Sequence, residues 1–73
     1  MQYDGPSRNV RVRIREDIPI KEWLSRYAGQ ECDATFYGPG MSAHINTEQI
    51  DPPITKWQSA KESDLIVLWE MSR

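Results

Sequence analysis

The chain has 73 residues, with nine basic and eleven acidic side chains and a formal net charge of -2. This length allows one small domain with a thin core, because so short a chain buries only roughly 60–65% of the surface that its unfolded form exposes. The near balance of charge gives no automatic preference for nucleic acid, and no apolar run approaches the roughly 20 residues of a membrane-spanning helix.

The first predicted element is a strand over residues 9–14, which follows a flexible N-terminal arm of residues 1–8 and opens a single domain of residues 9–73. In this strand Val10, Val12 and Ile14 alternate with arginines. Alternation of β-branched and polar residues is typical of a strand with one buried face. The arginines are therefore expected on the opposite face.

A short amphipathic helix is predicted next. Ile20, Trp23, Leu24 and Tyr27 follow one another at spacings that put all four on one helical stripe, and Gly29 is the expected stop. A helix of two to three turns is stable only when it packs on other structure, so we expect it to cover one face of a sheet.

Residues 31–46 predict a hairpin around Gly38-Pro39-Gly40. Cross-strand neighbours share a face, so a common buried face requires the pairs Ala34 with Ile45 and Phe36 with Ala43. This register buries the Cys32 side chain and points His44 outward, opposite Thr35.

The last third of the chain predicts a loop, a single helical turn and a strand. The breaker Asp51-Pro52-Pro53 marks the loop, residues 54–60 form the turn that carries Trp57, and the apolar run Leu65–Trp69 forms a central strand buried on both faces. The predicted fold class is therefore α+β: a small, mostly antiparallel sheet of about four strands with one short amphipathic helix packed on it.

The reactive residue types are too few for a familiar active site. A nucleophilic thiol needs an imidazole within hydrogen-bond reach, and the register above puts Cys32 and His44 on opposite faces. Structural zinc takes four Cys or His ligands, whereas the chain has one of each. The sequence predicts no enzyme, no metal site and no cofactor. A single cysteine is also typical of an intracellular protein.

Binding of a partner is the better prediction, because charge is unevenly distributed. Six of the nine basic residues lie in residues 1–30. The candidate partner-binding residues are Arg8, Arg11, Arg13, Arg15, Lys56 and Trp57. Arg11, Arg13 and Arg15 form an arginine stripe on one strand face. Guanidinium groups bind carboxylate or phosphate bidentately, so this stripe suits an acidic protein surface or nucleic acid. A merely solvated strand face, and a tryptophan that closes the core, are the alternatives.

The chain resembles the small bacteriophage-encoded transcription regulators, of the Xanthomonas phage type, that bind host bacterial RNA polymerase. The resemblance runs from Met1-Gln2-Tyr3-Asp4-Gly5 through the arginine strand to Lys56-Trp57 and the run Leu65–Trp69. It implies an adaptor in the cytoplasm of the bacterial host that inhibits promoter initiation and promotes readthrough of intrinsic terminators. We also expect a monomer that contacts nucleic acid only through the transcription complex and does not bind membranes.

Three other functions remain open from the residues alone. The arginine stripe could bind nucleic acid directly, in which case binding would depend strongly on salt. A domain this small could also antagonise another host system, such as a restriction or CRISPR effector nuclease. A small thiol enzyme that uses Cys32 is the third.

Overall fold

Five strands form one antiparallel sheet in a computed structural model, which describes residues 7–38, 40–56 and 58–71. The strands are β1 (Arg8–Ile14), β2 (Glu31–Phe36), β3 (Ala43–Ile45), β4 (Gln58–Ala60) and β5 (Leu65–Glu70). Their spatial order is β4-β3-β2-β1-β5. The strands β1, β2 and β3 therefore each pair with the strand that follows in the sequence. The chain then returns across the sheet, and β5 pairs with β1. The predicted antiparallel sheet is confirmed, with five strands where about four were expected.

The predicted first strand is confirmed, and so is the register of the hairpin. β1 begins at Arg8, one residue earlier than predicted, so this arginine belongs to the strand and not to the arm; residues 1–6 lie outside the described residues. The hairpin pairs Ala34 with Ile45 and Thr35 with His44, which is the register that the shared buried face requires. Cys32 is buried, as predicted.

The predicted amphipathic helix is wrong. Within the described residues, the helical structure consists of three 3-10 turns: Trp23–Tyr27, Thr47–Gln49 and Glu62–Asp64. Leu24 and Tyr27 are buried, but Ile20 is 94% exposed and Trp23 is 42% exposed. The 3-10 turn Trp23–Tyr27 thus packs through two side chains three residues apart, the spacing at which such a turn repeats. None of these turns could cross a membrane.

Two further predictions fail in the last third of the chain. Gln58–Ala60 forms β4, paired with β3, where a helical turn was expected. The run Leu65–Trp69 lies in β5, an edge strand and not a central one, so only one of its neighbouring positions is occupied. Leu65 is buried, whereas Val67 and Trp69 are largely exposed.

The core lies on one face of the sheet. Val10, Val12 and Ile14 of β1 form its centre, and the sheet contributes further buried residues from every other strand: Cys32, Ala34, Phe36, Ala43, Ile45, Ala60 and Leu65. The two long connections, between β1 and β2 and between β3 and β4, cover this face with Ile18, Leu24, Tyr27 and Ile50. The side chains of the other face, which we call the outer face, stay exposed or half-buried.

Hydrogen bonds join the two covering connections to each other. The Tyr27 hydroxyl donates to the Pro52 carbonyl over 2.9 Å. The Gln30 side chain donates to the Asp51 carbonyl and accepts from the Asp51 N–H, both over 2.9 Å. We call these two connections the cover. The hydrogen bonds between them hold the cover together, although neither connection contains a long helix.

Candidate partner-binding surface

The arginines of β1 lie on two different faces of the sheet. Arg11 and Arg13 project from the outer face, as the alternation predicts. Arg8 does not join them: it pairs with Phe36 across the β1–β2 ladder, and its guanidinium lies 5.9 Å from the centroid of that ring. Arg8 lies an even number of strand positions from Val10 and Val12, so it shares the core face with them and is not in the row that Arg11 and Arg13 form.

Each of the four predicted arginines forms an ion pair with a carboxylate, including Arg15, which follows the end of β1 and is not part of the strand. On the outer face, the cross-strand register sets Arg11 opposite Asp33 and Arg13 opposite Glu31, with N···O distances of 3.0 and 3.1 Å. Arg15 pairs with Asp17, and Arg8 pairs with Glu70. Exposed pairs of this kind contribute little to stability, because water and salt screen them. Their larger effect is to cancel the positive charge that the sequence predicted for this strand.

Gln49 completes a small network around Asp33. Its side-chain amide donates to Asp33 Oδ2 over 3.0 Å, and its Oε1 accepts from the Asp33 N–H over 2.7 Å and from Arg11 Nη1 over 3.3 Å. The hydrogen bond from Gln49 lowers the pKa of Asp33 below its ordinary value, and Arg11 adds to this effect. The hydrogen bonds to Asp33 and Gln49 hold the Arg11 side chain in one position on the sheet.

Large exposed apolar side chains adjoin these arginines on β5. Ile66 is 41% exposed and pairs with Arg13, and Trp69 is 56% exposed and pairs with Arg11. The two would lie on opposite faces of a regular strand, because they are three residues apart. A register shift in the β1–β5 ladder inserts one extra residue on β5 and brings both to the outer face. We call Arg11, Arg13, Ile66 and Trp69 the arginine–tryptophan surface.

The other candidate residues lie elsewhere. Lys56 is exposed in the connection that leads to β4, the sheet edge opposite β5, and its carbonyl accepts a hydrogen bond from Thr47. Trp57 lies outside the described residues. Lys56 therefore does not join the arginine–tryptophan surface.

The reactive side chains are kept apart, as the register predicts. Burial raises the pKa of the Cys32 thiol to about 11, and this thiol lies on the core face. His44 lies on the outer face, where its Nδ1 is 2.9 Å from the Tyr37 hydroxyl and the two rings meet edge to face. In the described ranges no three acidic, histidine or cysteine side chains are grouped so as to hold a metal ion.

No protein-family model matches the chain, and neither a curated protein nor a solved structure does. The functional conclusion therefore depends on the surface itself. The sequence does contain a signal for the pairing of its arginines with carboxylates. Glu31 and Asp33 alternate with buried residues on β2, so they face the same side as Arg11 and Arg13 once β1 and β2 are paired.

Proposed function

We propose that the protein is an adaptor of bacteriophage origin that binds bacterial RNA polymerase in the host cytoplasm, inhibits promoter initiation and promotes readthrough of intrinsic terminators. The observation that carries the proposal is the arginine–tryptophan surface, an exposed patch on a face that the two long connections leave open. Tryptophan and arginine are the residue types that most often dominate the binding energy of protein interfaces. The resemblance of the sequence to small phage transcription regulators supplies the identity of the partner.

Charge favours a protein partner over direct binding of nucleic acid. Binding to a polyanion gains its affinity from unpaired cations that displace counterions from phosphates. Arg11 and Arg13 are already paired with Asp33 and Glu31, so these four side chains together give the outer face no net positive charge. The whole chain is also slightly acidic. Contact with nucleic acid is therefore expected only within the transcription complex.

The mechanism that fits such a domain is occupation of a surface. A small rigid sheet that covers part of polymerase can block a contact needed at promoters and stabilise an elongating complex at a terminator. It needs no chemistry of its own. The burial of Cys32, on the face opposite His44, agrees with this view because neither side chain can activate the other.

The test uses the full chain and purified bacterial core RNA polymerase. We expect the tagged protein to retain polymerase, to lower the yield from a promoter, and to increase readthrough on a template that carries an intrinsic terminator. A parallel titration with single-stranded RNA and duplex DNA at two salt concentrations tests the nucleic-acid alternative. Failure to retain polymerase together with unchanged transcription overturns the proposal. Tight, salt-dependent binding to free nucleic acid would replace it.

Variants of the arginines must avoid charge reversal. Glutamate at position 11 or 13 would face Asp33 or Glu31 directly across the ladder, and like charges at such positions destabilise a sheet. A loss of binding could then reflect unfolding. Arg13→Gln removes the charge while it keeps a side chain of similar polarity, so this variant reports on the interface.

A further inference from the structure

We infer that Trp69 and Ile66 insert together into an apolar cleft of the partner protein, whose rim supplies oxygen acceptors for Arg13. The inference depends on the proposed function for the identity of the partner, polymerase. Beyond the proposed function, it specifies which side chains bind the partner and which chemical groups the partner's cleft must offer.

The first support is the irregularity in β5. The extra residue lies between the pairs Val12 with Val67 and Arg11 with Trp69. It turns the Trp69 side chain onto the same face as Ile66, so two apolar groups project side by side. Bulges that re-aim a side chain in this way are common beside functional sites.

The same irregularity argues against addition of a partner strand to this edge. Strand addition needs a regular row of free N–H and C=O groups, and a bulge interrupts that row and twists the edge away. The Leu65 N–H is also used, because it donates to the Glu62 carbonyl. Contact through the side chains of β5 is therefore favoured over extension of the sheet.

The size of the patch argues against a second copy of this chain as the occupant. The exposed parts of Ile66 and Trp69 amount to only on the order of 200 Å² of apolar surface, since Val67 pairs with Val12 and lies on the other face. A stable interface buries about 800 Å² on each partner. A second copy that offered the same flat patch would fall far short. A cleft encloses projecting side chains on several sides and buries more surface for each of them.

The arginines define the rim of that cleft. The guanidinium of Arg13 forms one hydrogen bond within the described residues, from Nη2 to Glu31 Oε2, and its side chain is 46% exposed. A guanidinium has more N–H donors than one carboxylate oxygen can accept, so donors remain beside Ile66 for backbone carbonyl or side-chain oxygens of a partner. Because Glu31 already balances the charge, the rim need not be strongly acidic.

The experiment measures the affinity of fluorescently labelled full-length protein for core RNA polymerase, with two matched pairs of variants. Trp69→Ala should weaken binding at least about tenfold, through faster dissociation. Trp23→Ala, which truncates a partly exposed tryptophan outside the surface, should change it less than about twofold. Ile66→Ala should weaken binding more than Ile20→Ala, which truncates an isoleucine that is 94% exposed in the connection between β1 and β2.

The variants also separate the possible failures. Thermal unfolding confirms that each variant is folded, and Ile66→Ala carries the test if Trp69→Ala is unstable. If polymerase binds the parent protein and both β5 variants equally well, this inference is wrong while the proposed function stands. If the parent protein does not bind polymerase, both fall. Sedimentation that shows a dimer, and its loss in Trp69→Ala, would assign the surface to a second copy and overturn the inference.

Discussion

Thr47 offers the sharpest test of how the cover is held on the sheet. Its side chain is fully buried, and its hydroxyl oxygen lies 2.9 Å from the Ile54 carbonyl oxygen and 2.6 Å from the Lys56 carbonyl oxygen. The Thr47 carbonyl also accepts from the Ile54 N–H. One residue thus holds the connection that leads from β3 to β4.

Thr47→Val is expected to destabilise the domain by about 2–3 kcal/mol. Loss of the hydrogen bond accounts for about 1 kcal/mol, and leaving the accepting carbonyl oxygen without this donor accounts for about 1–2 kcal/mol more. A methyl carbon also cannot take the place of the hydroxyl, because carbon–oxygen contacts need about 3.3–3.6 Å. The domain has roughly 4–11 kcal/mol in total at a typical stability per residue, so the effect is large.

Thermal unfolding followed by circular dichroism measures the effect, with Thr47→Ser as the matched control. The serine variant keeps the hydroxyl and loses a methyl group, which costs about 1 kcal/mol. For a domain of this size the midpoint should fall by roughly 10–20 °C in the valine variant and by roughly 5 °C in the serine variant. A valine variant as stable as the serine variant would show that packing, and not the hydroxyl, holds this segment.

Three further predictions concern the core, the dependence of stability on pH and the reactivity of the Cys32 thiol. Leu24→Ala should cost about 2–4 kcal/mol in thermal unfolding because the side chain is buried, and unchanged stability would remove the first 3-10 turn from the core. The pKa of Asp33 is lower in the folded than in the unfolded protein, so its ionised carboxylate stabilises the fold above the unfolded-state pKa of about 3.9. This stabilisation is lost as pH falls through the lower folded-state pKa. The difference in urea midpoint between the parent and Asp33→Asn should therefore be constant from about pH 7 to pH 5 and shrink below about pH 4. A difference that grows on acidification would contradict this sign. Cys32, with a pKa raised to about 11 by burial, should resist a thiol reagent at neutral pH and react promptly in urea; rapid reaction in the native protein would contradict its burial.

The strands whose register the sequence predicted are those with a buried face and a polar face. β1 and the β2–β3 hairpin alternate strictly, and a shift of one residue would expose all of their apolar side chains, so the pattern determines both the strands and their register. β4 has no such signal, because Gln58-Ser59-Ala60 offers one small apolar residue. Its place is determined by β3, which lies far from it in the sequence.

The helix prediction failed because two of its four apolar residues are not buried. Leu24 and Tyr27 are three residues apart, a spacing that fits a 3-10 turn as well as an α-helix. Only Ile20 and Trp23 distinguish the two, and both are exposed. A similar ambiguity affected β5, since a continuous apolar run predicts a strand but does not show whether two neighbours or one will cover it.

The candidate site was predicted in part. The outward direction of Arg11 and Arg13 followed from alternation, but their neutralisation by Glu31 and Asp33 requires the pairing of β1 with β2. Trp69 was assigned to the core because burial is the usual state of an apolar strand residue. Its exposure depends on a one-residue irregularity in a ladder between distant segments, which no local pattern reveals.

The bond from Asp33 to Gln49 has a consequence for hydrogen exchange. β3 ends at Ile45, and the Asn46 N–H that follows it donates to the Asp33 carbonyl. The Asp33 N–H itself donates to the Gln49 side chain and not to a backbone carbonyl. A side-chain acceptor is released when the 3-10 turn at Thr47–Gln49 opens, without separation of β2 from β1. The Asp33 amide should therefore exchange through this local opening, while amides bonded within the β1–β2 ladder wait for a larger one. The middle of β2 thus contains one amide whose protection reports on the cover and not on the sheet.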